Sequence, residues 1–200
     1  MLVVFGPHML KPEPMKHMKR CVMALYLTAA VFSAMANGEV VKVEAVGIEN
    51  YSRLEGSSGF AGSPVGFGGA TQPAAMEYLK RDGFATVISL RLANEEGVDN
   101  DASRTAAQAA GLQYINLPFD TDKPDPATVE DFLAVVGNQA NQPVYIHCGS
   151  ATRAASLWMI GRVLNDGWEV EAASDEAKMI ALKPPAAIAF ATTYLASHGK

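Results

Sequence analysis

Between residues 143 and 164 the chain runs a strand, a tight loop and a helix with nothing between them. Pro143-Val144-Tyr145-Ile146-His147 is a β-branched and aromatic run. From Ala154 to Leu164, Ala155, Leu157, Trp158, Ile160 and Val163 recur at helical spacing. The joining loop is Cys148-Gly149-Ser150-Ala151-Thr152-Arg153. Backbone N–H groups that converge at the start of a helix form an anion site, because they lack partners and the helix dipole is positive there. Cys148, at the head of this loop, sits in a field that favours its thiolate. Arg153 closes the loop with a planar fork suited to two oxygens of one phosphate group, a match that a lysine ammonium does not make.

The flanking sequence alternates helix and strand. Val40 to Val46 reads as a strand, and Glu55 to Gly69, with six glycines and one proline, reads as a loop. Thr71 can cap a helix with Pro73 in its first turn, stopping at Asp82-Gly83, and Phe84 to Leu90 follows as a buried strand. Ala102 to Ala110 is a helix and Leu112 to Leu117 a strand. Asp125 before Pro126 is a helix start, with the apolar face Val129, Phe132, Leu133, Val136 running to Gly137. Two helices, near Ala172 to Leu182 and Pro185 to His198, end the chain. This order predicts a three-layer α/β fold, a mostly parallel central sheet flanked by helices. In such sheets ligands bind at strand C-terminal ends, where the Cys148 loop stands.

The first 36 residues are set apart from this domain. Lys16-His17-Met18-Lys19-Arg20 precedes a 12-residue apolar run, Cys21 to Phe32, and Ser33-Ala34-Met35-Ala36 supplies small residues for cleavage after Ala36. The run is too short to span a bilayer core of about 30 Å as a helix. Residues 1–36 are thus expected to be an upstream extension and signal peptide. Residues 37–200 are expected to form one domain, periplasmic or secreted, with no stable membrane span after cleavage. Without the leader the chain loses four of its 16 basic and one of its 21 acidic residues, leaving a net charge of −8. Nucleic acid is therefore not an expected partner. Cys148 is left as the one cysteine, beside His147 and His198, so neither an intramolecular disulfide nor a His/Cys metal cage can form.

Strand, His147-Cys148, closing Arg153 and helix together resemble the signature of cysteine-based protein-tyrosine and dual-specificity phosphatases, over about residues 50–200. Gly68-Gly69-Ala70-Thr71-Gln72-Pro73, Val87-Ile88-Ser89-Leu90-Arg91, Leu117-Pro118-Phe119-Asp120 and Thr152-Arg153-Ala154-Ala155-Ser156-Leu157-Trp158 resemble one group within it. That group is the phosphatase-like domain of bacterial beta-lactamase-hydrolase-like proteins. The resemblance implies a hydrolase that needs no cofactor. Cys148 would be the nucleophile and Arg153 the clamp, with Gly149, Ser150, Ala151 and Thr152 cradling the phosphate of a protein, lipid or small molecule. It implies a general acid on Asp120-Thr121-Asp122-Lys123-Pro124-Asp125-Pro126: Asp122, four residues before Pro126, is the first choice and Asp120 the second, with Asp125 used as the helix cap. His147 would orient the loop, although ending a strand explains it too. Arg91 could add positive potential at the same sheet edge, or simply pair with Glu95 or Glu96.

Three features depart from the wider superfamily or from that group. Four residues separate Cys148 from Arg153 where tyrosine phosphatases have five, a shortening the bacterial group shares. Ala151 stands where that group has glycine, so its Cβ is expected to oppose a positive φ or to crowd the ligand. Ala154 replaces the hydroxyl residue that helps the cysteine leave the phospho-enzyme. Two alternatives follow. Rhodanese-like sulfurtransferases, whose cysteine carries a persulfide, also use a short strand-to-helix loop, and a non-catalytic phosphate-binding module would tolerate Ala151 and Ala154.

Overall fold

The computed structural model describes residues 38–56, 59–62 and 64–200; the expected signal peptide lies outside them. Six strands form one sheet: β1 (Glu39–Lys42), β2 (Ser52–Glu55), β3 (Val65–Gly68), β4 (Thr86–Ser89), β5 (Gln113–Asn116) and β6 (Val144–His147), in the spatial order β1-β2-β3-β6-β4-β5. β3, β6, β4 and β5 run parallel, and β1 and β2 extend the sheet antiparallel beyond β3. The mostly parallel sheet expected from the sequence is present, with β6 and its loop near its middle.

Side chains alternate across the sheet because successive residues of a strand point to opposite faces. Val87 and Tyr145 pack with Met76 and Leu79 of α1 (Met76–Arg81) and Ala107 of α2 (Asn100–Ala109). Ile88, Val144 and Ile146 face the other way, toward α3 (Pro126–Gly137), α4 (Thr152–Leu164), α5 (Val170–Ile180) and α6 (Pro185–Ser197). These are the three layers.

Two expectations are corrected here. The stretch from Glu55 to Gly69 is not a loop throughout, since Glu55 ends β2 and Val65–Gly68 is the strand beside β6. Its glycines imitate loop composition, yet a Cβ on Gly66 would lie 2.6 Å from Phe84 Cζ, and one on Gly68 would overlap the Tyr145 hydroxyl. They are there for close packing. Thr71 does not cap the helix that follows. Its hydroxyl donates to the Gly69 carbonyl and bonds the Tyr145 hydroxyl at 2.7 Å, and the short 3-10 turn Pro73–Ala75 leads into α1. Asp125 is the N-cap of α3, accepting from Ala127 N–H, as its position before Pro126 predicts.

α4 is buried on nearly all sides, from Ala154 to Val163, which is why its apolar residues extend beyond a single stripe. Within it the fully buried Arg162 lies between the rings of Trp158 and Trp168, at 4.7 and 4.3 Å, and donates to Glu176 and Asp166. Trp158 Nε1 donates to the same Glu176 at 2.6 Å, so one carboxylate ties α5 to the helix that carries the active-site loop.

Candidate active site

The Cys148 loop leaves β6 at the C-terminal edge of the sheet and is stitched down on both sides. Cys148 N–H donates to the Gly68 carbonyl (3.1 Å), Ala70 N–H to the Gly149 carbonyl (2.9 Å), and Leu90 N–H to the His147 carbonyl (2.8 Å). The thiol is free and buried. Beyond it, the N–H groups of Gly149, Ser150, Thr152 and Arg153 donate to no protein acceptor among the described residues. Those of Thr152 and Arg153 are the unsatisfied donors of a helix start, and those of Gly149 and Ser150 belong to the loop before it.

Ala151 makes the turn into α4 with φ +68°, in the left-handed region. The expected obstruction does not arise; the residue takes up the conformation a glycine would adopt freely, at a cost of about 1–2 kcal/mol. Ala154 is buried and offers no hydroxyl. The neighbouring hydroxyls point elsewhere: Ser150 Oγ donates to Thr152 Oγ1 at 3.2 Å, and Thr152 Oγ1 to the Ala181 carbonyl at 3.2 Å.

Arg153 is held along one side. Its Nη1 meets Glu95 Oε1 at 2.6 Å and the carbonyls of Phe119 and Leu90 at 3.0 and 3.1 Å, and its Nη2 meets Glu95 Oε2 at 2.8 Å. The Nε–H and the second Nη2–H, which lie on one edge of the guanidinium, have no oxygen acceptor among the described residues. The Cys148 sulfur lies close to the same guanidinium. Glu95 also accepts from Arg91 Nε (3.0 Å) and Leu92 N–H (2.9 Å). Burial alone would raise its carboxyl, but the hydrogen bonds from Arg153, Leu92 and Arg91 outweigh burial and hold it at about 2. Glu95 is the residue that sequence reasoning missed. The sequence offers it only as a surface partner for Arg91, and no local pattern links it to an arginine 58 positions away.

His147 is buried, with the backbone of Gly69 and Cys148 beside its ring. Its ring stacks on Tyr145, with centroids 5.9 Å apart. Burial, and secondarily the charge of Arg91, lower it to about 4, so it is a neutral imidazole around pH 7. Arg91, two residues beyond β4, pairs with Glu95 and donates to the Glu96 carbonyl, so it braces the arginine clamp from behind.

The two acid candidates share one turn. Asp120 Oδ1 accepts Asp122 N–H at 2.9 Å; Asp120 is half-buried and Asp122 exposed. Neither carboxylate contacts Cys148 or Arg153 among the described hydrogen bonds. What joins the turn to the site is the Phe119 carbonyl, one residue before Asp120, on Arg153.

The family model of the beta-lactamase hydrolase-like protein, phosphatase-like domain, matches residues 62–165, from just before β3 to the end of α4. A Beta-lactamase hydrolase-like protein of Agrobacterium fabrum is 31% identical over 100 residues, which are 48% of this chain and 23% of that one. One from Xylella fastidiosa is 32% identical over 98 residues, 47% and 22% of the two chains. This chain therefore spans less than a quarter of the length of those relatives. The fold is shared with the core catalytic domain of the PP-IP phosphatase SIW14 of S. cerevisiae, with TM-score 0.58 and 18% identity over 78% of this chain and 96% of that one. It is shared too with P. aeruginosa TpbA, with TM-score 0.56 and 18% identity over 82% and 91%. Glu95, Cys148 and Arg153 all fall within the matched segment, and the sheet that brings them together is that of protein-tyrosine-phosphatase-like chains. The chain belongs to the family of phosphatase-like domains found in beta-lactamase hydrolase-like proteins.

Proposed function

We propose that this chain hydrolyses a phosphate monoester through a covalent phosphocysteine on Cys148. One observation carries the reading: Arg153 is fixed on one side by Glu95 and two carbonyls, leaving two N–H bonds of its other edge beside the Cys148 sulfur and four loop N–H groups. A phosphate ester seated there has its non-bridging oxygens on the loop N–H groups and the free arginine edge. Charge developing on them in the transition state is met by donors already in place.

In the first step the Cys148 thiolate attacks phosphorus and the ester P–O bond breaks. The departing alkoxide takes a proton from the Asp120–Asp122 turn, with Asp122 the first choice. In the second step water attacks the phosphocysteine and gives a proton back to the carboxylate of that turn, the P–S bond breaks, and inorganic phosphate and the thiolate are released. With Ala154 in place of a hydroxyl, the thiolate's departure relies on Arg153 and the loop N–H groups, so the second step is the slower one. Among structurally similar chains, P. aeruginosa TpbA is known in complex with phosphotyrosine, which supports a phosphorylated substrate here.

The test is a pair of assays on the same preparation: an aryl phosphate followed by phosphate release, and thiosulfate plus cyanide followed by thiocyanate. Phosphate release that Cys148→Ser abolishes supports the reading. Thiocyanate release without phosphate release assigns the loop to sulfurtransferase chemistry, and neither product, with phosphate still bound, leaves a binding module.

We also propose that the domain acts outside the cytoplasm. The basic cluster, the 12-residue apolar run and Ala34-Met35-Ala36 support an export signal.

A further inference from the structure

Beside the Cys148 loop lies a cavity of about 430 Å3. It is lined by Ser150 and Thr152 of the loop, Lys42 at the end of β1, Asn50, and Lys178 and Lys183 from α5 and the turn after it. Its volume is that of a site for a small molecule.

The charge around it is unusual for this chain. Residues 37–200 carry a net charge of −8 and six lysines, yet three of the six line this one cavity. No carboxylate lines it. Lys178 has a partner, Asp175 at 2.8 Å, but both are well exposed, and such surface pairs are weak. Lys183 makes no ion pair or hydrogen bond among the described residues. Lys42 Nζ donates to the Ile180 carbonyl at 2.5 Å, which fixes its ammonium at the cavity wall. Partial burial, and then the charge of Lys183, make Lys42 easier to deprotonate than an ordinary lysine. Two cations are thus held near each other with no anion of the protein between them, which is the arrangement an anionic ligand relieves.

Position decides what kind of ligand. Ser150 and Thr152 belong to both the loop around Cys148 and the cavity wall, so a group in the cavity and a phosphate on the loop can belong to one small molecule. Lys42, Lys178 and Lys183 all lie outside the segment that matches the family, residues 62–165. The cleft is thus made by what this chain adds around the shared core. We propose that the substrate is a small polyphosphorylated molecule, one phosphate of which is transferred to Cys148 while a second sits in the cleft among Lys42, Lys178 and Lys183.

This rests on the phosphatase reading, and the experiment separates the two. The full chain carrying Cys148→Ser is titrated by calorimetry with phenyl phosphate, fructose 1,6-bisphosphate, inositol hexakisphosphate and a phosphotyrosine peptide flanked by acidic residues. At least one of the two polyphosphorylated small molecules should bind about 10-fold or more tightly than phenyl phosphate, and that ratio should fall toward one in Lys42→Met/Lys183→Met. Because Lys42 also ties β1 to α5, Lys183→Met alone is the second variant, and it should lose a substantial part of the ratio. Equal affinity for all four probes, a ratio unaffected by the lysine substitutions, or a preference for the acidic peptide alone would each overturn the proposal. The phosphatase reading is judged separately, by phosphate release from an aryl phosphate with Cys148 intact. A chain that shows the lysine-dependent ratio but releases no phosphate fails that reading, while the titration still establishes the polyanion cleft.

Discussion

Glu95 grips Arg153 with both carboxylate oxygens, at 2.6 and 2.8 Å, and leaves the opposite edge of the guanidinium free beside Cys148. The clamp is therefore positioned before any phosphate arrives. Glu95→Gln keeps the shape but removes the charge, and charge-assisted hydrogen bonds are worth about 1.5–3 kcal/mol. We expect kcat/KM for an aryl phosphate to fall by about 10- to 100-fold, with Glu95→Asp recovering part of the loss. Equal rates in Glu95→Gln and the parent would remove Glu95 from the site. The same residue sets a pH window. Its folded value of about 2 lies below the ordinary 4.5, so its contribution to stability is complete above about 4.5 and is lost as the pH falls through about 2. Urea titrations in that window should show the slope in the parent and not in Glu95→Gln.

His147 acts in a different window. Its folded value of about 4 lies below the ordinary 6.5, so between these the unfolded chain binds a proton that the folded chain refuses. Stability then rises with pH, from about 4 up to 6.5, by at most about 1.4 kcal/mol per pH unit. His147→Gln should flatten that segment of the curve. An unchanged slope would mean that the imidazole is not held neutral.

Gly68→Ala should be costly. Its new Cβ would overlap the Tyr145 hydroxyl, and overpacking of this kind costs about 1–3 kcal/mol. Tyr145→Phe added to it should recover part of that loss by thermal unfolding, although it also gives up the bond to Thr71. If the double variant is less stable than the two single losses combined, the overlap is not what makes Gly68 necessary.

The general acid is found by leaving group. Asp122→Asn should slow hydrolysis of an alkyl phosphate by about 10² to 10⁴ and that of a nitrophenyl phosphate far less, since the nitrophenolate departs with little protonation. Cys148→Ser should abolish both. The selective loss appearing in Asp120→Asn instead would move the role two residues, to the carboxylate nearer the Phe119 carbonyl that Arg153 holds.

Exported protein should begin at Asn37, as read by N-terminal sequencing of material outside the cytoplasm. A sequence beginning upstream of Cys21 would show that the apolar run is not removed.

The sequence by itself determined the alternation of elements, the cap at Asp125, and the loop from Cys148 to Arg153 between a strand and a helix. Each follows from a local cause: the period of apolar residues, the fixed φ of Pro126, a turn too short to be anything but a strand-to-helix corner. Only the tertiary structure decided that Gly66 and Gly68 belong to a central strand, because the reason for them is the bulk of Phe84 and Tyr145 across the sheet. Only it joined Glu95 to Arg153, Phe119 to the same guanidinium, and Lys42 to Lys183 around one cavity. These pairs are far apart along the chain, and charge and hydrogen bonding have no period by which a sequence could announce them. The parallel strand order β3-β6-β4-β5 brings the C-terminal ends of these strands together at one edge of the sheet, and it is there that separate residues become one site.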